Sequence, residues 1–524
     1  MQLPPFLTKR PGPVGPVLQP ALSIRAWGAA SVALCAALTG CGDASERSTC
    51  GAEAGVAASG LAALAAPTPV WTHASDNATY YAPRAADLDD DGALEVLVAG
   101  GSQMPSFGEL VAMDGATGFV RWKAPADAEL YTSPVLLDVT GDGVKDVFIG
   151  GRATTFFAVD GETGRELWRF QDPRELPEYN LYNFYTPVLV PDQTGDGLPD
   201  LLVSNGGADG IRRKEARPPG HLLVLNSADG SLVSFAVLPD HQETYLSPIL
   251  LPDDGARSPT ILFGSGGESW SGSLWATSLA AVMAGDLSDA EKLVTGVDKG
   301  VIAPPALADV DSDGRLDILV ATFDGRLIAL NGVTKEILWQ RAFEGAESFS
   351  TPVPGFFDGD AVPDVFAVFL HGTFPDYVSA ERVLVSGRDG SVLWRSETGD
   401  FAMASDVAVD LDGDGIDEVI FNANTLRDPL TGIPTAQQLY LLDSGCRSAR
   451  KWGSVPGGFA AGAPWVGDID GDGALDLLLP RHSAALGIND GLVTRFRTTA
   501  PVPSSISWAG YFGTQFDSTV SPHH

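Results

Sequence analysis

Six short stretches of the chain place carboxylates at fixed offsets around a glycine: "DLDDDGALE" (87–95), "DVTGDGVKD" (138–146), "DQTGDGLPD" (192–200), "DVDSDGRLD" (309–317), "DLDGDGIDE" (410–418) and "DIDGDGALD" (468–476). A weaker copy, "FFDGDAVPD", spans 356–364. Like charges held this close repel, so the spacing points to a hard divalent cation that gathers them. Ca²⁺ takes six to eight oxygens at about 2.3–2.6 Å, and a loop of alternating acids can fold round it. The expected ligands are Asp87, Asp89, Asp91 and Glu95; Asp138, Asp142 and Asp146; Asp192, Asp196 and Asp200; Asp309, Asp311, Asp313 and Asp317; Asp358, Asp360 and Asp364; Asp410, Asp412, Asp414 and Glu418; and Asp468, Asp470, Asp472 and Asp476. The glycine at position six suits a turn of positive φ, which a side chain would oppose. The closing acid falls at position nine and a strand follows, so these are not EF-hands. An Asp-Gly turn alone would explain one or two acids per loop, but not alternate acids at repeated offsets.

Elements that could hold such loops recur in phase with them. A short apolar run precedes each loop ("SPVLLD", 133–138; "APPALAD", 303–309) and another follows it ("DVFIGG", "DILVAT"). Then come two runs joined by a tight turn, the second bearing an aromatic: "VAMDGATGFVRW" (111–122), "FAVDGETGRELW" (157–168), "IALNGVTKEILW" (328–339) and "VLVSGRDGSVLW" (383–394). Asp-Gly and Asn-Gly between apolar runs signal hairpins. The stretch "LSPILLPDDGARSPTILFGSGG" (246–267) has the same flanks with few acids, and its loop at Asp253 and Asp254 is expected to bind no metal. Eight units of four strands predict an all-β fold, a propeller of four-stranded blades, with seven blades as the alternative. Trp122, Trp168, Trp339 and Trp394, with Trp452 nearby and Phe235 and Phe496 in weaker units, are expected to pack between blades. Trp71 stands ahead of the first loop, so residues 68–80 are expected to pair with the last blade and close the ring.

The hairpin motif resembles that of quinoprotein-like propellers. The acidic loops with their flanks resemble FG-GAP or VCBS repeats, related to the propeller of integrin α-subunits. That resemblance covers about residues 80–500 and implies several structural Ca²⁺ ions on one face.

Residues 1–40 read as a secretory signal peptide, with an apolar core "WGAASVALCAAL" too short to span a bilayer permanently. Leu38-Thr39-Gly40-Cys41 resembles the bacterial lipobox, which would make Cys41 a lipidated residue; an ordinary signal that contains a cysteine is the alternative. Residues 41–67 read as an Ala- and Gly-rich tether, 68–510 as the propeller and 511–524 as a C-terminal tail. Four cysteines make no disulfide scaffold, although Cys50 and Cys446 could pair in an oxidising compartment. The formal charge of −34 argues against nucleic acid. More than a third of the 67 Asp and Glu residues stand at the loop positions, which places the acidity in metal sites.

No catalytic constellation emerges. The seven histidines show no ligand spacing, "GSGGES" (264–269) opens no helix, and no Gly-x-Ser-x-Gly elbow occurs. The adjacent cysteines of quinone-dependent dehydrogenases are missing. Long connections on the face opposite the acidic loops are expected to bind a protein or glycan ligand, with Arg212, Arg213, Lys214, Tyr182 and Tyr185 as contacts. The chain is thus expected to be an exported, lipid-anchored, calcium-binding surface or scaffold protein, touching the membrane through its lipid only. A calcium-dependent polysaccharide lyase and an outer-membrane assembly factor are the alternatives.

Overall fold

The short apolar runs pair into eight antiparallel sheets in the computed structural model, which describes residues 61–522 except 62–63, 76–81, 104–105, 174–180, 208–216, 253–258, 375, 400, 403, 428–433, 456–457, 459, 461 and 483–490. Seven blades follow in chain order: blade one at 84–126, two at 135–169, three at 183–237, four at 249–295, five at 306–342, six at 346–397 and seven at 407–455. The eighth takes its first three strands from 465–501 and its fourth from Thr68–Ser75, which pairs antiparallel with Gly491–Pro501. Ring closure by the N-terminal strand is as expected, and the fold is an eight-bladed propeller. In blades three and six the first strand is broken in two. The described residues contain one α-helix, Leu279–Ala284, capped by Ser278 and ended by Gly285.

Blades stack through the aromatics. Trp122 of blade one donates its indole N–H to the Gly161 carbonyl of blade two at 2.7 Å, and Trp168 does the same to Ser227 of blade three at 2.8 Å. Trp339 reaches Gly387 of blade six, and Trp71 reaches Gly115 of blade one at 2.9 Å across the seam. The hairpin glycine makes room for the ring: Gly164 has φ +70°, and a Cβ there would meet Trp122 at 2.6 Å. Phe235 lies on the fourth strand of its blade, as expected, but Phe496 does not. It sits on a third strand opposite Leu477, because Trp71 from the chain's other end fills the eighth blade's slot.

Residues 506–522, read in part as a tail, line the axis. Trp508 and Ala408 exchange backbone hydrogen bonds, Ala509 accepts from Val466, and Leu307 is bonded to Ser518 and Val520. Trp508 and Phe512 are fully buried. The segment therefore bonds to the first strands of blades five, seven and eight and plugs the channel.

Candidate functional site

Each acidic loop joins the first and second strands of its blade, on the same face as the tryptophan-facing hairpins; we call this the lower face. The predicted glycine geometry is present: Gly92, Gly143, Gly197, Gly314, Gly415 and Gly473 have φ between +81° and +92°. The first acid organises the turn. Asp410 accepts from the backbone N–H groups of Gly413 (2.7 Å), Asp414 (3.2 Å) and Gly415 (2.9 Å), and Asp87, Asp138, Asp192, Asp309 and Asp468 do likewise in their loops. The acid at position five is turned to the backbone two residues on, Asp91 accepting from Ala93, Asp313 from Arg315, Asp414 from Ile416 and Asp472 from Ala474.

Four loops bring carboxylate oxygens within 4.8 Å of one another, through positions one, three and nine: Asp87, Asp89 and Glu95; Asp309, Asp311 and Asp317; Asp410, Asp412 and Glu418; Asp468, Asp470 and Asp476. Asp91, Asp313, Asp414 and Asp472 are outside these clusters. Among the described residues the loops of Asp138, Asp142 and Asp146, of Asp192, Asp196 and Asp200, and of Asp358, Asp360 and Asp364 form no such cluster. Thr140 and Thr194 replace the third-position acid in the first two, and Phe356 the first-position acid in the last. Asp253 and Asp254 lie outside the described residues.

The closing acids are the most buried of the expected ligands in each loop, Asp146, Asp200, Asp317 and Asp476 being fully buried. Burial pushes Asp317 up to about 6 and Glu418 to about 10, backbone N–H groups opposing the shift. Asp89 Oδ1, Asp200 Oδ1, Asp364 Oδ2, Asp412 Oδ1, Asp470 Oδ1 and Asp476 Oδ1 are buried without a hydrogen-bond donor. Buried polar atoms are normally satisfied, because leaving one unpaired costs about 1–3 kcal/mol. Asp89, Asp412, Asp470 and Asp476 belong to the clusters of blades one, seven and eight, where an orphaned oxygen beside other carboxylates fits a hard cation; the cluster of blade five has no such orphan.

The opposite, upper face carries a cavity of about 300 Å³ on the axis, to which all eight blades and the C-terminal plug contribute. Tyr185 is one of its walls, flanked edge-on by Tyr131 (5.5 Å) and Tyr245 (6.2 Å). The Arg152 guanidinium lies 4.9 Å over Tyr131 and pairs with Glu129 at 2.7 Å, and Tyr511 of the plug contributes to the lining. Burial raises the Tyr185 hydroxyl well above its ordinary value. Tyr182 is half-buried and does not line the cavity, and Arg212, Arg213 and Lys214 lie outside the described residues. Sequence reasoning missed Tyr131, Tyr245 and Phe349. Their signal is an aromatic one or two residues ahead of a Ser-Pro or Thr-Pro pair, as in "YTSP", "YTP", "YLSP" and "FSTP". The same pairs link blades: the Ser133 N–H donates to Thr186 Oγ1, and the Thr186 N–H to Ser247 Oγ, each at 3.2 Å.

Cys446 is disulfide-bonded; the suggested pairing with Cys50, and the lipidation of Cys41, lie outside the described residues. No helix among the described residues is long and apolar enough to cross a membrane.

A family model described as outer membrane protein assembly factor BamB matches residues 59–244. No curated protein matches the chain. Among solved structures, a quinohemoprotein alcohol dehydrogenase from Comamonas testosteroni is similar at 12% identity and a TM-score of 0.54, over 84% of this chain and 78% of that one. Sqt1 of Saccharomyces cerevisiae is similar at 11% identity and 0.53, over 84% and 100%. A europium-containing methanol dehydrogenase is similar at 11% identity and 0.51, over 82% and 93%. The quinoprotein-like character of the hairpins accords with the first of these, and likeness at such identity is likeness of fold: the chain is a β-propeller of the shape those proteins share.

Proposed function

We propose that the chain is an exported, lipid-anchored binding protein, with calcium in its lower-face loops and a protein or glycan ligand in its upper-face cavity. The observation that carries this is the cavity itself, a concave axial site walled by aromatic rings with a few polar groups, Arg152 and Glu268 among them. Such composition is that of ligand sites generally. The orphaned Asp412 Oδ1 of blade seven supports the calcium part, as does the resemblance of the loops to FG-GAP repeats. Export is supported by the signal-like start, the lipobox-like Cys41 and the disulfide at Cys446, since disulfides persist in oxidising compartments. Capture of ligand from surface material tests the reading. Tyr131→Phe and Tyr245→Phe, which keep the rings in place, and Arg152→Ala should weaken capture with little change in melting; undiminished capture by the triple variant would sink it. The match of residues 59–244 favours a second reading, a scaffold assisting assembly of outer-membrane proteins, in which the captured ligand is an unfolded membrane protein.

A further inference from the structure

Two of the four carboxylate clusters already contain a cation supplied by the chain. In blade eight, Arg495 is fully buried, and its Nη2 lies 2.6 Å from Asp470 and 2.8 Å from Asp476. Arg497, opposite Asp476 in the ladder, reaches Asp470 at 3.1 Å and also Asp472. In blade one, Arg121 pairs with Glu95 and, at 3.3 Å, with Asp89, while Lys145 of blade two reaches Asp90 at 3.0 Å. Among the described residues, no ion pair joins a lysine or arginine to the expected ligands of blades five and seven, Asp309, Asp311, Asp313 and Asp317, and Asp410, Asp412, Asp414 and Glu418.

Blades one and eight are the two that meet at the seam, where the N-terminal strand closes the ring. Arg495 also spans that seam. Its Nη1 donates to the Ala116 carbonyl of blade one at 3.0 Å and lies 3.4 Å from that of Gly115, the carbonyl that receives the Trp71 indole. A guanidinium has five donors in a fixed plane and stays protonated, so one residue can hold two carboxylates and two carbonyls at once.

We propose that Arg121 and Arg495 are resident counter-ions that take the place of metal in the loops of blades one and eight. The seam is thereby locked without calcium, and exchangeable calcium is confined to the loops of blades five and seven. This rests on the reading of those loops as calcium sites. A dication and a guanidinium compete for the same oxygens and repel one another at contact distance, so the loop with its own cation binds calcium far more weakly. Removing a buried arginine leaves its acids uncompensated, and that loop then recruits the ion.

The test counts calcium bound to the purified chain by elemental analysis at millimolar calcium, in wild type and three variants. Asp412→Asn should lose one ion relative to wild type and Asp470→Asn none. Arg495→Leu should gain one, and its melting should become more sensitive to chelator than that of wild type. Loss of an ion in Asp470→Asn, or no gain in a folded Arg495→Leu, overturns the proposal; should Arg495→Leu not fold, Asp470→Asn decides. Wild type loaded at all four clusters overturns the proposal and leaves the calcium reading standing. Wild type with no calcium anywhere removes both.

Discussion

Single residues carry the blade contacts. Trp122 is nearly buried, bonded through its indole to blade two and stacked on Gly164. Trp122→Ala should cost about 3–5 kcal/mol, as large-to-small changes of buried aromatics do, read by denaturant unfolding. Gly164→Ala should also destabilise, because a Cβ meets the ring where φ is already positive. Two buried acids away from the loops set a pH dependence. Burial pushes Glu243, beside Arg217, and Asp406, beside Arg382, each up to about 7. Their folded values exceed the unfolded ones, so the folded chain binds more protons and stability falls as pH rises through 7. His482, held down to about 4 by burial, acts in the opposite sense only below about 6.5. The melting midpoint should therefore drop between pH 6.5 and 8, and a Glu243→Gln, Asp406→Asn double variant should reduce that slope, the remainder coming from the buried loop acids Glu418 and Asp364. At this scale the sequence was readable where charge recurred: every Asp-Gly loop with acids at positions one, three and nine gathers them. It was silent on Arg495, since an arginine in a strand shows its partners only once the register is known.

At the scale of elements, the strands were readable from alternating apolar runs and turn glycines, and so was closure by the strand at Thr68–Ser75. The assignment of Phe496 to the aromatic slot failed because the eighth blade borrows its fourth strand from the opposite end of the chain. The plug was missed for a different reason. Trp508, Phe512 and Phe516 follow the last repeat with no period of their own, and only the channel they fill gives them a core role. That fill is held against strain: Phe512, Phe516 and Ser518 adopt φ of 63°, 61° and 62°, each costing about 1–2 kcal/mol. Hydrogen bonds to the first strands of three blades and burial of Trp508 and Phe512 offset it. Deleting the chain from Ile506 onward should lower the melting midpoint and raise binding of a dye for exposed apolar surface. Unchanged melting would mean that the segment is dispensable to the ring.

Over the whole molecule, the formal charge of −34 gains a location. Acid is crowded on the lower face, where the loops lie, whereas the upper cavity is walled by aromatic and hydroxyl groups with Arg152 among them. The two faces therefore differ, one crowding carboxylates and the other offering a concave site. Calcium bound only by the folded ring would stabilise it by mass action, about 1.4 kcal/mol per site at a concentration tenfold above its dissociation constant. Extracellular calcium modules have constants of about 10⁻⁴–10⁻³ M, so millimolar calcium should be enough to show it. The most direct measurement is thermal unfolding of the purified chain in chelator and in millimolar calcium. A melting midpoint that rises on adding calcium and returns to the chelator value when it is removed is the predicted result. Identical midpoints in the two buffers, together with no calcium retained by the folded chain, would contradict it.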